Sequence, residues 1–429
     1  MPELGPSPLT RGDELPVAAA RAAITAALRP LSRQAMERVP LLQADGRILA
    51  EDLISPIDVP AHDNSAMDGY AFRGGDLQVD AEMRLLIEPG TVMAGAPHGG
   101  GLAAGSCIRI MTGAVMPDGL DTVVPIELCR LDGAQLLIEP GVLRAGDNRR
   151  QRGEDLAQGS AALTAGRVLR PADVGLVASL GLTQVAVMPR LRVALFSTGD
   201  ELRQPGEAAA PGTVYDSNRF SLMAALQRLG AEVHDLGAVP DDPAALRATL
   251  ITAVSTCDAV VTSGGVSMGD ADYMRQLLSE LGDVSFWKVA MRPGRPFAFG
   301  PLRAPDGSRT FLFALPGNPV AALVTFYALV REALLLLAGA KPQPLPVVRA
   351  RSVAAIRKRP GRTEFQRAVV YQAQETDAEG EWHVRVTGSQ GAGILRSMSE
   401  ANALLVLGHD QGAVAAGDRV DVWLFDGLI

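Results

Sequence analysis

The sequence predicts a multidomain chain of the α/β plus β class, and three observations support this. Between residues 190 and 340, apolar strand-like runs alternate with glycine-containing loops and helical patterns, which is typical of an α/β layer on a mostly parallel sheet. Residues 54–142 instead carry short apolar or alternating runs between glycine-rich turns, and five further strand-like runs follow residue 346. The 429 residues, 47% of them hydrophobic, suffice for several such domains.

Helices are expected where apolar residues recur at helical spacing or where a cap precedes the pattern. The opening segment is expected to be helical over 17–28 and 41–53. Further helices are expected over 171–180, behind the cap candidate Asp216 at about 219–229, and from Val320 onward.

These elements predict four parts. A proline-rich linker at 341–346 precedes the last five strands, whose spacing is typical of a small barrel or sandwich. The parts are a mixed helical linking domain, a small β domain, an α/β domain and a C-terminal β domain, at residues 1–53 with 143–185, 54–142, 186–340 and 346–429.

Composition excludes several classes of function. Forty Lys and Arg against 48 Asp and Glu leave a formal charge of −8, so no global charge favours nucleic acid or a membrane surface as partner. The acidic, proline-rich start does not resemble a secretory signal, and the apolar run 320–330 is shorter than the roughly 20 residues of a membrane span. We therefore expect a soluble, cytoplasmic protein in which an anionic ligand needs a local basic pocket.

The three cysteines and five histidines show no ligand spacing for a zinc cluster or a disulfide framework. Cys107, Cys129 and Cys257 each adjoin apolar, strand-like sequence. We interpret them as inert, buried thiols.

Three strand-like runs of the α/β domain lead directly into unusual loops. RVALF at 192–196 runs into STGDE, DAVV at 258–261 runs into TSGGVS, and FLFAL at 311–315 runs into PGNP. Ligands of open parallel sheets bind outside the carboxyl ends of the strands, so these loops are expected to meet in one crevice. Any one loop alone could be an ordinary turn that needs glycine, but three in one domain favour a binding site.

The loops carry donors suited to an oxyanion. Gly264 and Gly265 allow a close approach of backbone N–H groups, and Ser263 and Ser267 add hydroxyls. Pro319, at the first position of a helix, leaves neighbouring N–H groups free.

Carboxylates follow the same loops. Glu201, Asp241 and Asp272 are expected to face the crevice, whereas Asp242 and Asp270 are better interpreted as helix caps. Carboxylates beside phosphate-type donors suit Mg²⁺, which binds hard oxygen ligands together with substrate phosphates and water.

The segment MRPGRPFAFG supplies Arg292 and Arg295, held between two prolines directly before a strand. Guanidinium groups bind oxyanions through paired N–H donors and stay charged, so this is the predicted basic pocket, with an exposed turn as the alternative. Two polar loops of the small β domain, at 62–72 and 148–156, could be simple turns, and composition does not decide this.

With these motifs the sequence resembles the molybdopterin molybdenumtransferase family, the MoeA type that also includes the E domain of gephyrin. The resemblance covers almost the whole chain, and the matching motifs occur in the order of the family. They are DNSAMDGYA, RIMTGA, RRQRGED, FSTGDEL, YDSNR, DDPAALR, SGGVSMGDADY, PGRPFAFG, LPGNPVAA and GRTEFQR.

The resemblance implies an elongated protomer with a three-layer α/β molybdopterin-binding domain, a small β domain and a C-terminal β barrel. It also implies a homodimer whose active site lies between the α/β domain of one subunit and the β domain of the other. The implied reaction inserts molybdenum from molybdate into adenylylated molybdopterin, with Mg²⁺ present and AMP released. Molybdopterin adenylyltransferase and molybdoenzyme acceptors are the implied protein partners.

The resemblance also assigns roles to individual residues. The implied catalytic residues are Asp68, Thr112, Asp155, Glu201, Asp241 and Asp272, of which the last three are the metal ligands. The implied substrate and molybdate contacts are Ser267, Arg292, Arg295, Pro296, Pro316, Gly317, Asn318, Pro319 and Arg362. The loops of the α/β domain add Thr198, Gly199, Ser263, Gly264 and Gly265 to the predicted substrate-binding residues.

The chain departs from the family pattern at a few positions. Arg292 and Arg295 stand where many relatives carry lysine, and Ala321 and Ala392 stand where relatives often carry serine. His62 replaces an apolar residue. Two other functions stay open at this point: adenylyl transfer from ATP to molybdopterin, and a non-catalytic pterin-binding scaffold.

Overall fold

A computed structural model describes residues 14–28, 36–78, 80–265, 271–303, 307, 309–372 and 380–425, with the side chains of 271–274 outside the description. The chain divides into two compact units. The first unit comprises residues 1–50, 166–169 and 186–429, and the second comprises 51–165 and 170–185. The predicted boundaries of four domains stay a prediction.

Most of the described helices lie in the first unit, and only α2 belongs to the second. The helices are α1 (Val17–Ala27), α2 (Pro171–Ser179), α3 (Ser217–Arg228), α4 (Pro243–Thr256), α5 (Ala271–Leu281), α6 (Pro319–Thr325), α7 (Arg331–Leu337) and α8 (Arg396–Ser399). The strands are β1 (Glu37–Pro40), β2 (Leu53–Ile54), β3 (Asn64–Ser65), β4 (Gly69–Phe72), β5 (Met83–Val92), β6 (Ser106–Ile110), β7 (Thr122–Pro125), β8 (Arg130–Asp132), β9 (Gln135–Ile138), β10 (Arg149–Arg150), β11 (Ala161–Leu163), β12 (Gln184–Val187), β13 (Arg192–Thr198), β14 (Leu202–Arg203), β15 (Val214–Tyr215), β16 (Glu232–Val239), β17 (Ala259–Ser263), β18 (Ser285–Lys288), β19 (Met291–Arg292), β20 (Pro296–Arg303), β21 (Arg309–Leu315), β22 (Val347–Ser352), β23 (Thr363–Gln372), β24 (Trp382–Val386), β25 (Ala403–Leu407) and β26 (Arg419–Leu424).

The α/β part of the first unit is built on a six-stranded sheet with the order β16-β13-β17-β21-β20-β18. The first four strands are parallel, and β20 and β18 are antiparallel additions. Side chains alternate across β13, so that Val193 and Leu195 join a core with α1, α3, α6 and α7, whereas Ala194 and Phe196 join a core with α4 and α5. Helices on both faces make the three layers that the resemblance implies.

The helical run Pro319–Leu337 is long and apolar enough to cross a membrane, with a π-helical turn at Phe326–Val330. However, 83% of its most apolar window is buried. It is the central helix of the larger core, and it continues past Arg331, where the sequence analysis ended the apolar run.

The C-terminal part of the first unit is a closed five-stranded barrel. Its strands follow the order β23-β24-β22-β26-β25 and return to β23 through an additional pairing. The short strand β19 joins this sheet in parallel with β23, so the arginine-containing segment is hydrogen-bonded to the barrel. All five strands predicted after residue 346 are confirmed.

The second unit contains a six-stranded sheet with the order β7-β4-β6-β5-β9-β8. Two small cores lie on its faces, one around Ile108 and Ile110 and the other around Phe72 and Cys107. The predicted α/β plus β class is confirmed. The helix predicted over 41–53 is wrong, because Ile48 and Leu49 form antiparallel bridges with Val168 and Val187 instead.

Candidate functional site

The floor of the candidate site is formed by three strand ends that lie side by side. In the parallel register, Ser197 of β13 is paired with Ser263 of β17, and Ser263 is paired with Leu315 of β21. Neighbouring strands are about 4.8 Å apart, so the three loops that follow these strands emerge together. The predicted convergence of the loops is therefore observed.

Gly264 shows why the middle loop needs glycine. Its φ is +95°, and a Cβ at this position would lie 2.5 Å from the backbone oxygen of Thr198. The Gly264 N–H donates to the Leu315 oxygen at 3.1 Å. A side chain here would separate the loops that follow β13 and β17.

Asn218, in the first turn of α3, links two of the loops. Its amide nitrogen donates to the Ser263 hydroxyl and to the Gly317 carbonyl, each at 2.6 Å. The carboxylate of Asp216 caps the same helix and accepts a hydrogen bond from the Ser197 hydroxyl at 3.0 Å. The start of α3 therefore fixes the geometry of the crevice floor.

One wall of the crevice carries the predicted arginines. Arg292 is the last residue of β19, Arg295 directly precedes β20, and Arg362 directly precedes β23. Arg362 and Arg295 share one carboxylate, that of Glu14, with N–O distances of 2.7–2.8 Å and 2.5 Å. The hydrogen bond from Arg362 is the main reason why the pKa of Glu14 lies below its ordinary value. Within the described residues, Arg292 forms no ion pair.

These loops and walls enclose a cleft of about 1000 Å³. Fifteen of the seventeen site residues predicted in the α/β domain and barrel line it. They are Thr198, Gly199, Glu201, Asp241, Ser263, Gly264, Gly265, Arg292, Arg295, Pro296, Pro316, Gly317, Asn318, Pro319 and Arg362. Ser267 and the side chain of Asp272 lie outside the described part of the chain.

Two of the three predicted metal ligands, Glu201 and Asp241, line the cleft. Glu201 and Asp241 are exposed, and the Glu201 carboxylate folds back over Gly199. Among the described side chains, no three His, Cys, Asp or Glu residues form a metal site, and the predicted third ligand, Asp272, was not among those described. Asp242 is the N-cap of α4, as expected, and accepts from the Ala245 N–H at 2.8 Å.

One loop of the cleft, Gln390–Gly393, comes from the barrel and was not predicted, although Ala392 was named as a departure from the family pattern. Its glycines were the available signal. The carbonyl of Ala392 accepts the N–H of Val320 at 3.0 Å. The position of Pro319 had predicted free N–H groups at this helix start. The Val320 N–H is not free for an anion, because it is bonded to the barrel loop.

The second unit contains a separate polar cluster. Antiparallel pairing of Gly69 with Ile110 places Asp68 beside Thr112, which lies two residues after Ile110. The Thr112 hydroxyl and N–H both donate to Asp68 Oδ1, at 2.6 Å and 2.7 Å, and the hydroxyl bond is the main cause of the lowered pKa of Asp68. Within the described residues, Oδ2 of Asp68 receives no hydrogen bond.

Asp155, the third predicted residue of this unit, has an exposed side chain, and its N–H donates to Val59 at 3.0 Å. Among the described residues no hydrogen bond joins it to Asp68 or Thr112. The structure therefore brings together only two of the three.

The chemistry of the cleft favours a multiply charged anion. Guanidinium groups and the hydroxyls of serine and threonine are donors, and they line a space large enough for a nucleotide-sized ligand. The Gly264 N–H, predicted as a donor for an anion, is instead bonded to the Leu315 carbonyl, and the Gly199 N–H donates to the Val239 carbonyl at 3.3 Å. Covalent catalysis by cysteine has no support in the described chain, because none of the three cysteines lines the cleft and burial raises the pKa of each thiol, that of Cys107 to about 12. Cys107 and Cys257 are buried as predicted, whereas Cys129 is only half-buried.

Comparisons with known proteins agree over the length of the chain. Residues 15–181 match the family model "MoeA N-terminal region (domain I and II)", 194–335 match "Probable molybdopterin binding domain", and 349–425 match "MoeA C-terminal region (domain IV)".

Individual relatives and solved structures point to the same family. A molybdopterin molybdenumtransferase of Haemophilus influenzae is 40% identical over 92% of this chain and 95% of its own length. Another, of Nostoc, is 37% identical over 91% and 88%. A crystal structure of a molybdopterin biosynthesis MoeA protein from Pyrococcus horikoshii superposes with a TM-score of 0.79 at 28% identity, covering 96% of this chain and all of that one.

Proposed function

The chain belongs to the molybdopterin molybdenumtransferase family of the MoeA type, and on that premise we propose that its cleft holds molybdate beside the phosphate of adenylylated molybdopterin. The protein is an enzyme of molybdenum cofactor biosynthesis that inserts molybdenum. The finer assignment, with both anions as substrates and AMP as a product, is ours.

One observation carries this assignment: Arg292, Arg295 and Arg362 line the same cleft as the three glycine-containing loops. Two anions held side by side repel each other, so a site for both needs several fixed positive groups and N–H donors. Positioning two reactants in this way contributes strongly to the rate of a transfer reaction.

We assign Mg²⁺ to Glu201 and Asp241, with Asp272 as the third carboxylate. The donor set fits, because Mg²⁺ prefers carboxylate oxygens and completes its coordination with water and substrate phosphates. Bound there, the ion would offset the charge of the adenylate diphosphate. Glu201 and Asp241 are exposed and line the cleft, which leaves room for water and phosphate.

We also propose a cytoplasmic homodimer in which Asp68, Thr112 and Asp155 of one subunit complete the cleft of the other. In this arrangement the Asp68 carboxylate, held by Thr112, positions the water that cleaves the adenylate. The support is the family resemblance together with the ionised Asp68, whose Oδ2 is open to a water molecule.

The decisive experiment supplies the full-length protein with adenylylated molybdopterin, molybdate and Mg²⁺. AMP release and activation of a cofactor-free molybdoenzyme are measured. Glu201→Gln is expected to lower the rate about a hundredfold. The control Glu232→Gln, at a side chain 57% exposed outside the cleft, is expected to retain the rate. A wild-type rate for the Glu201 variant would refute the metal assignment.

Complementation tests the shared site. Asp68→Asn and Glu201→Gln subunits, each inactive alone, are mixed under dissociating conditions and reassembled. A site composed from two subunits should recover about a quarter of the wild-type activity, because half of the dimers then hold one intact site out of two. No recovery would contradict the composite site.

The two alternative functions are not favoured. Relatives at 36–40% identity over 90% or more of this chain are named for molybdenum transfer. No separate observation supports adenylyl transfer from ATP to molybdopterin, and none supports a non-catalytic pterin-binding scaffold.

A further inference from the structure

Arg367, in the middle of β23, is a charged side chain placed deep in the protein. Only 1% of its surface is exposed, and it is among the largest fully buried side chains of the described chain. Burial lowers its pKa to about 10, still well above neutrality, so the guanidinium is charged under working conditions.

The partners of this guanidinium are all neutral. Nε donates to the Ser397 hydroxyl at 2.9 Å, and one terminal nitrogen donates to the carbonyls of Gly391 at 3.0 Å and Ser389 at 3.4 Å. No ion pair with a carboxylate is formed among the described residues. The one charged neighbour that affects its pKa is Arg292, which has the same sign.

The hydrogen bonds of Arg367 hold the missed loop of the cleft. The backbone N–H of Arg367 donates to the side-chain oxygen of Gln390 at 2.8 Å. The side-chain amide nitrogen of Gln390 donates in return to the backbone carbonyl of Arg367 at 3.1 Å. The loop in turn reaches the start of α6 through the bond between Val320 and Ala392. Arg367 therefore connects the barrel to the helix terminus that borders the cleft.

An unpaired buried charge is costly, and proteins usually place a carboxylate beside it. A carboxylate beside Arg367 would cancel the positive potential that it adds behind Arg292. In a site for a dianion, that potential strengthens binding, because it acts through a poorly screened interior.

We propose that Arg367 is a positioning residue of the oxyanion site, where it fixes the Gln390–Gly393 loop and adds an unneutralised positive charge behind Arg292. This proposal rests on the proposed function, because the anion concerned is molybdate. Arg367 itself does not line the cleft and acts through the loop and through its field.

The test measures the equilibrium binding of sodium molybdate to the purified full-length protein by calorimetry. Ser397→Asp places a carboxylate next to Nε and neutralises Arg367 without removing it. We expect molybdate to bind about tenfold more weakly, as one unit charge in a partly screened interior predicts. Ser397→Asn, which has the same shape without the charge, should bind within about twofold of wild type.

Variants of Arg367 separate charge from shape. Arg367→Gln should weaken molybdate binding about tenfold, and Arg367→Lys, which keeps the charge, should weaken it about threefold or less. Arg331→Gln, a change at another buried arginine of the same unit that does not line the cleft, should lower the melting temperature and leave the molybdate affinity unchanged.

The melting temperature of each variant is measured with and without molybdate. The difference between the two values reports molybdate binding even for a destabilised variant, so a loss of stability is distinguished from a loss of affinity. Equal molybdate affinities for Ser397→Asp, Ser397→Asn and Arg367→Gln would overturn the inference while leaving the function intact. A wild-type protein that binds no molybdate, yet transfers adenylate, would instead overturn the proposed function.

Discussion

The cleft of the first unit and the Asp68–Thr112 pair of the second unit are built in opposite ways. The cleft combines three arginines with the polar loops that follow β13, β17 and β21, around about 1000 Å³ of space. The pair presents an ionised carboxylate stabilised by one residue, beside the ends of two inner strands, β4 and β6. One region is suited to hold anions, and the other is suited to accept a proton or to orient water.

Under the proposed function, binding and bond cleavage are divided between two structural units. Parallel strands bring loops together at one edge automatically, which suits a site that needs many donors. An antiparallel pairing brings only two positions together, which suits a single hydrogen-bonded pair. Substitutions in the two regions should therefore change different kinetic constants.

The largest expected effect is that of Asp68→Asn. The amide cannot serve as a base or hold a water through a negative oxygen, so kcat should fall by about two to three orders of magnitude. Molybdate affinity, measured by calorimetry, should be unchanged. Asp132→Asn, at an exposed aspartate of the same unit, serves as control. Weaker molybdate binding without a loss of kcat would break the comparison.

Arg295→Ala should act in the opposite manner. Loss of one guanidinium and of its bond to Glu14 should raise the KM for molybdate about thirtyfold, with kcat lowered much less. Steady-state kinetics at varied molybdate would measure this. Arg349→Ala, at an exposed arginine of the barrel, should change neither constant. An unchanged molybdate KM in the Arg295 variant would remove this residue from the anion site.

Thr112→Val tests how the carboxylate is tuned. Removal of the hydroxyl takes away the bond that contributes most to the lowered pKa of Asp68, so this pKa should rise. Protonation then begins at higher pH, and the acidic limb of the kcat profile should shift upward, with about a tenfold loss at its acidic end. Thr112→Ser should restore the wild-type limb. An unshifted profile would show that Asp68 does not control it.

The smallest expected effect is a gain. Ala392 lines the cleft at a position where relatives often carry serine, and Ala392→Ser would add a hydroxyl donor. We expect the KM for molybdate to fall about threefold, which corresponds to the lower end of the net contribution of one ordinary hydrogen bond. Ala354→Ser in the barrel, outside the cleft, is the control. A rise in KM would indicate that the small side chain is needed there for space.

Much of the fold and of the cleft was predictable from local sequence. Apolar runs followed by glycine-containing loops can be recognised as strands in the sequence. The parallel register then places the ends of these strands side by side, as with Ser197, Ser263 and Leu315. The roles of these residues, and the metal ligands, stay predictions. The contributions that were missed come from far along the chain, since the Gln390–Gly393 loop belongs to the barrel and Glu14 precedes the first helix.

Two other positions explain the remaining limits. Apolar spacing at Ile48 and Leu49 fits a helix as well as a strand, and the deciding partners, Val168 and Val187, lie more than a hundred residues away. The pairing of Asp68 with Thr112 depends on a strand register that short-range patterns do not contain.

Glu14 has a practical consequence for anyone who alters the beginning of the chain. Its carboxylate is 348 positions away from Arg362 in sequence, and Leu15 beside it is anchored by backbone bonds to Lys288 and Ala290. Fusion tags or truncations that disturb this short stretch would release Arg295 and Arg362, two guanidinium side chains that line the cleft. A tag fused to the C-terminal end would leave the contacts of Glu14 with Arg295 and Arg362 unchanged.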